Sequence, residues 1–433
     1  MASATPVITA LMCVYNGAQV IPASIASILN QSFGDFELII IDDGSTDETP
    51  EVLASYRDSR ITVVRQEHCG VTAALQHGLE RARGTFVARL DADDMASPDR
   101  FKQQVEFFRH HPETALVATD AVGEDQDGNV VWETDLPDEG VAIAWRLLWY
   151  NCIVHSSVMF RAACVRELGG YHRSLPYAQD YDLWLRIAAH FPIGIVKAPL
   201  VTYRVHHPSS ITICHKNEQF EWLCHVQEEA ISQINPHLRK RASDIRVLGA
   251  FLYLNGTPPP RLAEADELLH RLYTAFCASP FARSATSSSL QRIMREPYLR
   301  FAWEYFRQGH SAEGERCIHN ALARGNGTPI IIPEDQLERG YDVVCRELTR
   351  KKDASLLLYQ QHCTSAWQYF NRGSMRGFRH CLRRAWRLKW SVSLALMWLL
   401  SFVGKQFFDE INDILQQLSR LITSPRSLEG ARQ

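Results

Sequence analysis

At 433 residues the chain is too long for one ordinary core, and two or three domains are expected. A hydrophobic fraction of 46% and a charged fraction of 22% are ordinary globular values, which excludes extended disorder. The formal net charge of -3 gives no global pull toward nucleic acid, so any basic partner site must be local. Residues 1–6 carry no basic stretch followed by an apolar one, and no secretory signal is expected there. Residues 7–14 then read as a buried strand and 21–30 as a helix with apolar residues at helical spacing. Residues 36–41 form a second strand that ends abruptly in Asp42-Asp43-Gly44-Ser45. A helix over 49–56, a strand over 61–64, a helix over 71–83 stopped by Gly84 and a strand over 86–90 follow. Two further strands are expected at 157–161 and at 193–205, the latter broken by Pro199.

This alternation implies an α/β fold with a mostly parallel central sheet covered by helices. Ligands of such sheets bind beyond the carboxyl ends of the strands. Asp42-Asp43 and Asp91-Ala92-Asp93 both stand at such ends and are expected to converge on one crevice. Beyond about Lys216 the alternation gives way to helical patterns. Within them, Ala302-Trp303-Glu304-Tyr305-Phe306-Arg307-Gln308-Gly309 recurs as Ala366-Trp367-Gln368-Tyr369-Phe370-Asn371-Arg372-Gly373, with Cys317 matching Cys381 and Ala321 matching Ala385. Helix, glycine turn and second helix make the unit of a degenerate helical-hairpin repeat, with a weaker third copy at 250–256. The expected divisions are 1–215 for the α/β domain, 216–385 for a helical domain and 386–433 for a basic and apolar C-terminal segment.

Eleven cysteines are scattered without a CxxC, which argues against a disulfide framework or zinc knuckle and favours the reducing cytoplasm. Residues 354–408 hold no acidic side chain but eight Lys or Arg, beside the apolar run 390–403 and Trp386, Trp390 and Trp398. The run is shorter than the roughly 20 residues that cross a bilayer. Its basic, Trp-bearing character suits peripheral contact with an anionic membrane face, against the plainer reading of a packed helix with a solvated basic side.

Four short segments carry chemistry. Asp91-Ala92-Asp93-Asp94 places carboxylates two apart at a strand end, where they suit a hard cation such as Mg²⁺ or Mn²⁺ bridging phosphates, although a lone DxD is more often a helix cap. Asp42-Asp43-Gly44-Ser45-Thr46-Asp47 offers buried acceptors at a tight turn, which an Asp-rich cap would also explain. Tyr15-Asn16-Gly17 puts an aromatic directly after the first strand, at a pair that equally marks an ordinary turn. Gln179-Asp180-Tyr181-Asp182 opens an amphipathic helix, where Asp180 suits either a general base or a dipole-favoured carboxylate.

In this order and on this strand pattern, the segments over the first 210 or so residues resemble the family 2 glycosyltransferases of GT-A fold. The resemblance implies an inverting, metal-dependent transfer of a sugar from a nucleoside-diphosphate donor, usually a UDP-sugar, to an acceptor hydroxyl on a glycan, lipid-linked glycan or protein, in cell-envelope polysaccharide synthesis. It implies that Tyr15 stacks on the base, Asp43 hydrogen-bonds it and Asp42 supports that loop. Asp91 then contacts the ribose side, Asp93 binds the metal and diphosphate, and Asp180 is the catalytic base. His206 in Tyr203-Arg204-Val205-His206 resembles a position that reaches the metal, and His155 resembles a frequent family position without a defined role. The chain departs from the family pattern at Gln179, where Glu is usual, and at Gln76, where Asn is common. The alternatives are a non-catalytic helical scaffold on the same fold and a nucleotidyltransferase. The latter wants a basic phosphate loop, which residues 14–19 do not supply.

Overall fold

The structure, a computed structural model, describes residues 5–205, 215–254, 256–283, 285–324, 332, 337–348, 358, 361–366, 368, 378, 380–382 and 384–385. His206 and the segment 386–433 lie outside the described residues, so the expectations placed on them are not met by any structural observation. The chain divides into two compact units, 1–293 and 294–433.

The first unit is built on one nine-stranded sheet. Strands β1 (Ile8–Val14), β2 (Phe36–Asp42), β3 (Ile61–Arg65) and β4 (Phe86–Arg89) alternate with helices α1 (Ile21–Leu29), α2 (Thr49–Ser55) and α3 (Val71–Arg81). The short β5 (Met95–Ala96), helix α4 (Arg100–His110), β6 (Leu116–Glu124) and β7 (Val130–Glu133) follow. Helix α5 (Gly140–Leu147), β8 (Met159–Arg161), helices α6 (Ala162–Glu167) and α7 (Gln179–His190) and β9 (Ile193–Arg204) complete the layer. The strand order is β3-β2-β1-β4-β8-β6-β9-β5, with β7 beside β6.

The parallel character belongs to β3, β2, β1 and β4, and β6 also runs parallel to β9. The pairings of β8 with β4 and β6, of β7 with β6 and of β5 with β9 are antiparallel, so the sheet as a whole is mixed. β1 and β2 are buried nearly throughout, which is why they read as unbroken apolar runs. Their Ile8, Met12, Leu38 and Ile40 pack with Ile21, Ile25, Ile28 and Phe101 into one core cluster. Burying each such side chain stabilises the fold by about 1.5–3 kcal/mol.

β6 is a central strand that the apolar pattern does not announce, because Asp120 sits within it. The reason lies in its partner. Asp120 stands opposite Pro199 of β9, at a double shift of register where Pro199 needs no ladder donor. Asp120 accepts from Leu136 N at 2.8 Å and pairs with Lys197 at 3.3 Å.

The pattern changes at Lys216, yet the same compact unit continues to residue 293. Helices Lys216–Ile234, Ala242–Tyr253 and Leu262–Cys277 are held against α5. Trp145 of α5 donates to Tyr253 Oη at 2.9 Å and meets Phe276 edge-on at 5.2 Å. Gln227 caps Leu148 O and Trp149 O at 2.9 and 2.8 Å.

In the second unit, helices Arg295–Arg307 and Ser311–Ala323 form the expected hairpin, turned by Gly309 at φ 85°. Ala302, Cys317, Ile318 and Ala321 are buried, and so are their repeat equivalents Ala366, Cys381, Leu382 and Ala385, all in helix. The two copies thus present the same face to a core. Among the described residues, no helix is long and apolar enough to cross a membrane, and the cysteines are free thiols.

Candidate active site

The loops that leave β1 and β2 are laced together. Asn16 adopts φ 52°, and its Oδ1 accepts from Thr46 N at 2.8 Å. Ser45 Oγ accepts from Asn16 N at 3.0 Å, and Thr49 Oγ1 from Gly17 N at 2.9 Å. Left-handed backbone at a non-glycine residue costs about 1–2 kcal/mol, a local cost tolerated here because the side chain hydrogen-bonds its surroundings. The turn Asp42-Asp43-Gly44-Ser45 is fixed the same way. The buried Asp42 carboxylate accepts from Ser45 N at 2.9 Å and lies 3.6 Å from Arg65 Nε. Gly44, at φ 77°, is required: a Cβ there would lie 2.7 Å from His68 N.

Asp43 is buried and its carboxylate is saturated by the segment after β3. Oδ1 accepts from Gln66 Nε2 at 2.7 Å and Cys69 N at 3.0 Å, and Oδ2 from Gly70 N at 2.9 Å. His68 Nδ1 lies 3.0 Å from Oδ2. The consequence reaches Tyr15, whose ring stacks on His68 with centroids 4.0 Å apart. Tyr15 is exposed. His68 is a member of this site that no motif flagged.

Beyond β4 lies a buried polar chain. Arg89 is fully buried in an otherwise apolar strand. It donates to Leu11 O at 2.8 Å and pairs with the Asp91 carboxylate. Its Nε donates to His155 Nε2 at 3.3 Å, and Tyr171 Oη lies 3.1 Å from the same nitrogen. Burial and the neighbouring Arg89 charge push the His155 pKa down to about 3, so the ring is a neutral acceptor that fixes Arg89. Burial alone would raise the Asp91 pKa, but the Arg89 charge and the hydrogen bonds from Ser156 and Arg89 outweigh it and hold Asp91 below the usual carboxylate range. Asp91 also accepts from Ser156 Oγ at 3.1 Å.

Asp93 is half-buried at the same turn. Asp94 is fully buried, and burial with the charges of Asp91 and Asp93 pushes its pKa well up. It accepts from Arg204 N at 3.2 Å and is bonded to Ser156, so it ties the end of β9 to the Asp91–Asp93 turn. Among the described residues no set of three or more His, Cys, Asp or Glu is gathered as a metal cage.

Asp180 opens α7. The preceding Ala178 is held at φ 58°. Asp180 accepts from its neighbour Tyr181 N at 2.7 Å and from Asn151 Nδ2 at 2.9 Å. Burial raises its pKa, the two hydrogen bonds oppose that, and the Asp91 charge adds to the rise. Asp180 is therefore near enough to Asp91 to feel its charge. The helix beneath Asp180 is rigid: Arg186 pairs with Asp182 at 2.6 Å and donates to Leu168 O at 2.9 Å and Gly170 O at 2.7 Å. Gln76 serves that support too, with Oε1 accepting from Tyr171 N at 2.9 Å.

β1 pairs in parallel with both β2 and β4, so Tyr15, Asp42, Asp43, Asp91 and Asp93 follow strand ends on one edge of the sheet, and Asp180 lies within electrostatic reach of Asp91. Such an edge is where α/β sheets bind their ligands. Comparison with known proteins agrees. Residues 9–166 match the model of glycosyl transferase family 2. The chain is 30% identical over 209 residues to the O-antigen biosynthesis glycosyltransferase WbnJ of Escherichia coli, covering 47% of this chain and 81% of that one. It is 28% identical over 259 residues to an uncharacterized glycosyltransferase of Haemophilus influenzae, covering 57% and 78%. A crystal structure of S. aureus TarS 1-349 overlaps 75% of this chain and 93% of its own at 16% identity and a TM-score of 0.45, too low to bear on ligands. The chain belongs to the family 2 glycosyltransferases and is a transferase, which displaces the scaffold and nucleotidyltransferase alternatives.

Proposed function

We propose that the chain is an inverting, metal-dependent glycosyltransferase that takes its sugar from a nucleoside diphosphate, a UDP-sugar in the first instance, in the assembly of a cell-envelope polysaccharide. The observation that supports this reading is the common carboxyl edge of β1, β2 and β4, from which Tyr15, Asp42, Asp43, Asp91 and Asp93 emerge, with Asp180 near enough to feel the Asp91 charge. The O-antigen role of the Escherichia coli relative supports the choice of acceptor class, a glycan hydroxyl on a lipid-linked or polymeric carrier.

Tyr15 stacks on the nucleobase, with His68 as the neighbouring ring. Asp42 and Asp43 hold that pocket; because the segment 66–70 saturates Asp43, its influence on the base is exerted mainly through the loop it fixes. Asp91 faces the ribose. Asp93 and Asp91 supply hard oxygen ligands, and two carboxylates plus diphosphate oxygens and water are a fitting set for Mg²⁺ or Mn²⁺; His206 would join them from outside the described residues. When bound, such a cation stabilises the departing diphosphate as a Lewis acid.

Asp180 accepts the proton of the acceptor hydroxyl while that oxygen attacks the anomeric carbon in line. Burial raises its pKa above the ordinary carboxylate value, which strengthens it as a base. Peripheral contact with the cytoplasmic membrane face through 386–433 would bring a lipid-linked acceptor near, a part of the proposal that rests on composition.

The test is calorimetric titration with UDP-, GDP- and dTDP-sugars in Mg²⁺ or Mn²⁺ and then EDTA, with Asp93→Ala alongside. One nucleotide sugar should bind only with metal and at least tenfold more weakly to the variant. The anomeric coupling of the product, read by NMR, should be opposite to that of the donor. No nucleotide binding under any metal condition would overturn the proposal.

A further inference from the structure

A cavity of about 330 Å³ opens beside Asn151, the residue that holds Asp180. It is lined by β7, by the end of α5 and by the segment 150–154, and its volume falls in the range of small-ligand sites, about 300–1,000 Å³.

Its chemistry is specific. Trp132 and Tyr150 contribute aromatic surface, and Glu133, Arg146 and Asn151 contribute polar groups. Trp132 lies on Gly123 of the paired strand, where an added Cβ would come within 2.2 Å of the indole. The ring also leans on Tyr203, with centroids 5.7 Å apart. Tyr150 is backed by Tyr253 at 6.1 Å, and Arg146 donates to Asp135 O at 3.2 Å. Asp135 is neutralised by Lys197 at 2.6 Å, which leaves one acid and one base, Glu133 and Arg146, on the lining. The cavity is therefore close to neutral, with flat apolar walls and a polar rim. An uncharged pyranose has the matching surface, C–H groups on its faces and hydroxyls around its edge.

Asn151 connects this cavity to the chemistry. It lines the cavity, and its Nδ2 donates to the Asp180 carboxylate at 2.9 Å, so a ring seated in the cavity stands one residue away from that carboxylate. We infer that this cavity is the acceptor subsite, seating the terminal uncharged sugar ring of a glycan against Trp132 and Tyr150, with Asn151 aligning Asp180 toward the incoming hydroxyl. The inference rests on the sugar-transfer reading above. Trp132 and Tyr150 are specificity-determining residues, and Asn151 is a positioning residue.

The experiment uses the full chain, the nucleotide sugar that binds best, and a panel of octyl glycosides of glucose, galactose, mannose, N-acetylglucosamine and rhamnose as acceptors. Donor affinity and donor hydrolysis by water are measured beside transfer. Trp132→Ala and Gly123→Ala should raise the acceptor KM about tenfold or more while donor affinity and hydrolysis stay within about twofold. Trp132→Phe should recover most of the loss, which a folding defect would not. An unchanged acceptor KM in both variants, or donor hydrolysis with no transfer to any glycoside, overturns the subsite while sparing the donor site. Absence of donor binding in the wild type overturns both readings together.

Discussion

Asp180 sits in a conflict between burial, which disfavours its charge, and two hydrogen bonds that favour it. The balance lies with burial, so its pKa is above the ordinary carboxylate value. The reaction rate should therefore fall on the acid side at a pH higher than an unperturbed aspartate would give, as a pH profile of kcat checks. For stability the sign is reversed from that of a salt-bridged acid. The folded state binds this proton more tightly than the unfolded state, so stability is lost as pH rises from the unfolded to the folded pKa. At neutral pH Asp180→Asn should melt at the same temperature or higher than wild type, measured by calorimetry. Arg89 behaves oppositely. Its guanidinium is buried and paired, and Arg89→Met would leave the Asp91 carboxylate without its cation. A loss of about 3–5 kcal/mol is expected in chemical denaturation.

At this scale the sequence exposes the carboxylates but not what holds them. Asp42, Asp43, Asp91, Asp93 and Asp180 stand at strand or helix ends, where spacing makes them visible. Arg89 carried a readable signal, a charge inside an apolar strand two residues before Asp91. Ser156, Asn151 and Tyr171 carried none, because they reach the site from loops whose course no periodicity fixes.

Among the elements, the loops that leave β1 and β2 depend on close backbone approach. Gly44→Ala would drive a Cβ into His68 N and force the turn away from the segment 66–70. Donor affinity should drop at least tenfold in titration, with the melting temperature also lowered. The start of α7 holds the reverse case. Ala178 is left-handed but its methyl is buried, so the strain relieved by Ala178→Gly, about 1 kcal/mol, is offset by the loss of that methyl, and denaturant unfolding should shift by less than about 1 kcal/mol. The strands of the parallel half were legible because both faces are buried and the runs are apolar. β6 and β7 were not, since Asp120 interrupts the first and Val130 and Val131 of the second face solvent at the sheet's margin.

For the whole molecule, the compact units follow packing rather than pattern. A fragment of residues 1–215 would expose Trp145 and Trp149, which the helices between 216 and 277 cover. A fragment of residues 1–293 should fold cooperatively and resist limited proteolysis, whereas 1–215 should aggregate or remain protease-sensitive. The repeat in the second unit was legible because its buried alanines and cysteines recur at a fixed offset, but its purpose is not written in that periodicity.

The most direct measurement is of Asp180→Asn, compared with wild type for donor binding and for sugar transfer under the same metal. Transfer should fall by about 10²–10⁴-fold while donor affinity stays within about twofold, because a base is removed and the groups assigned to the donor are untouched. Transfer that survives the substitution would contradict the account, since the account gives the acceptor proton to Asp180.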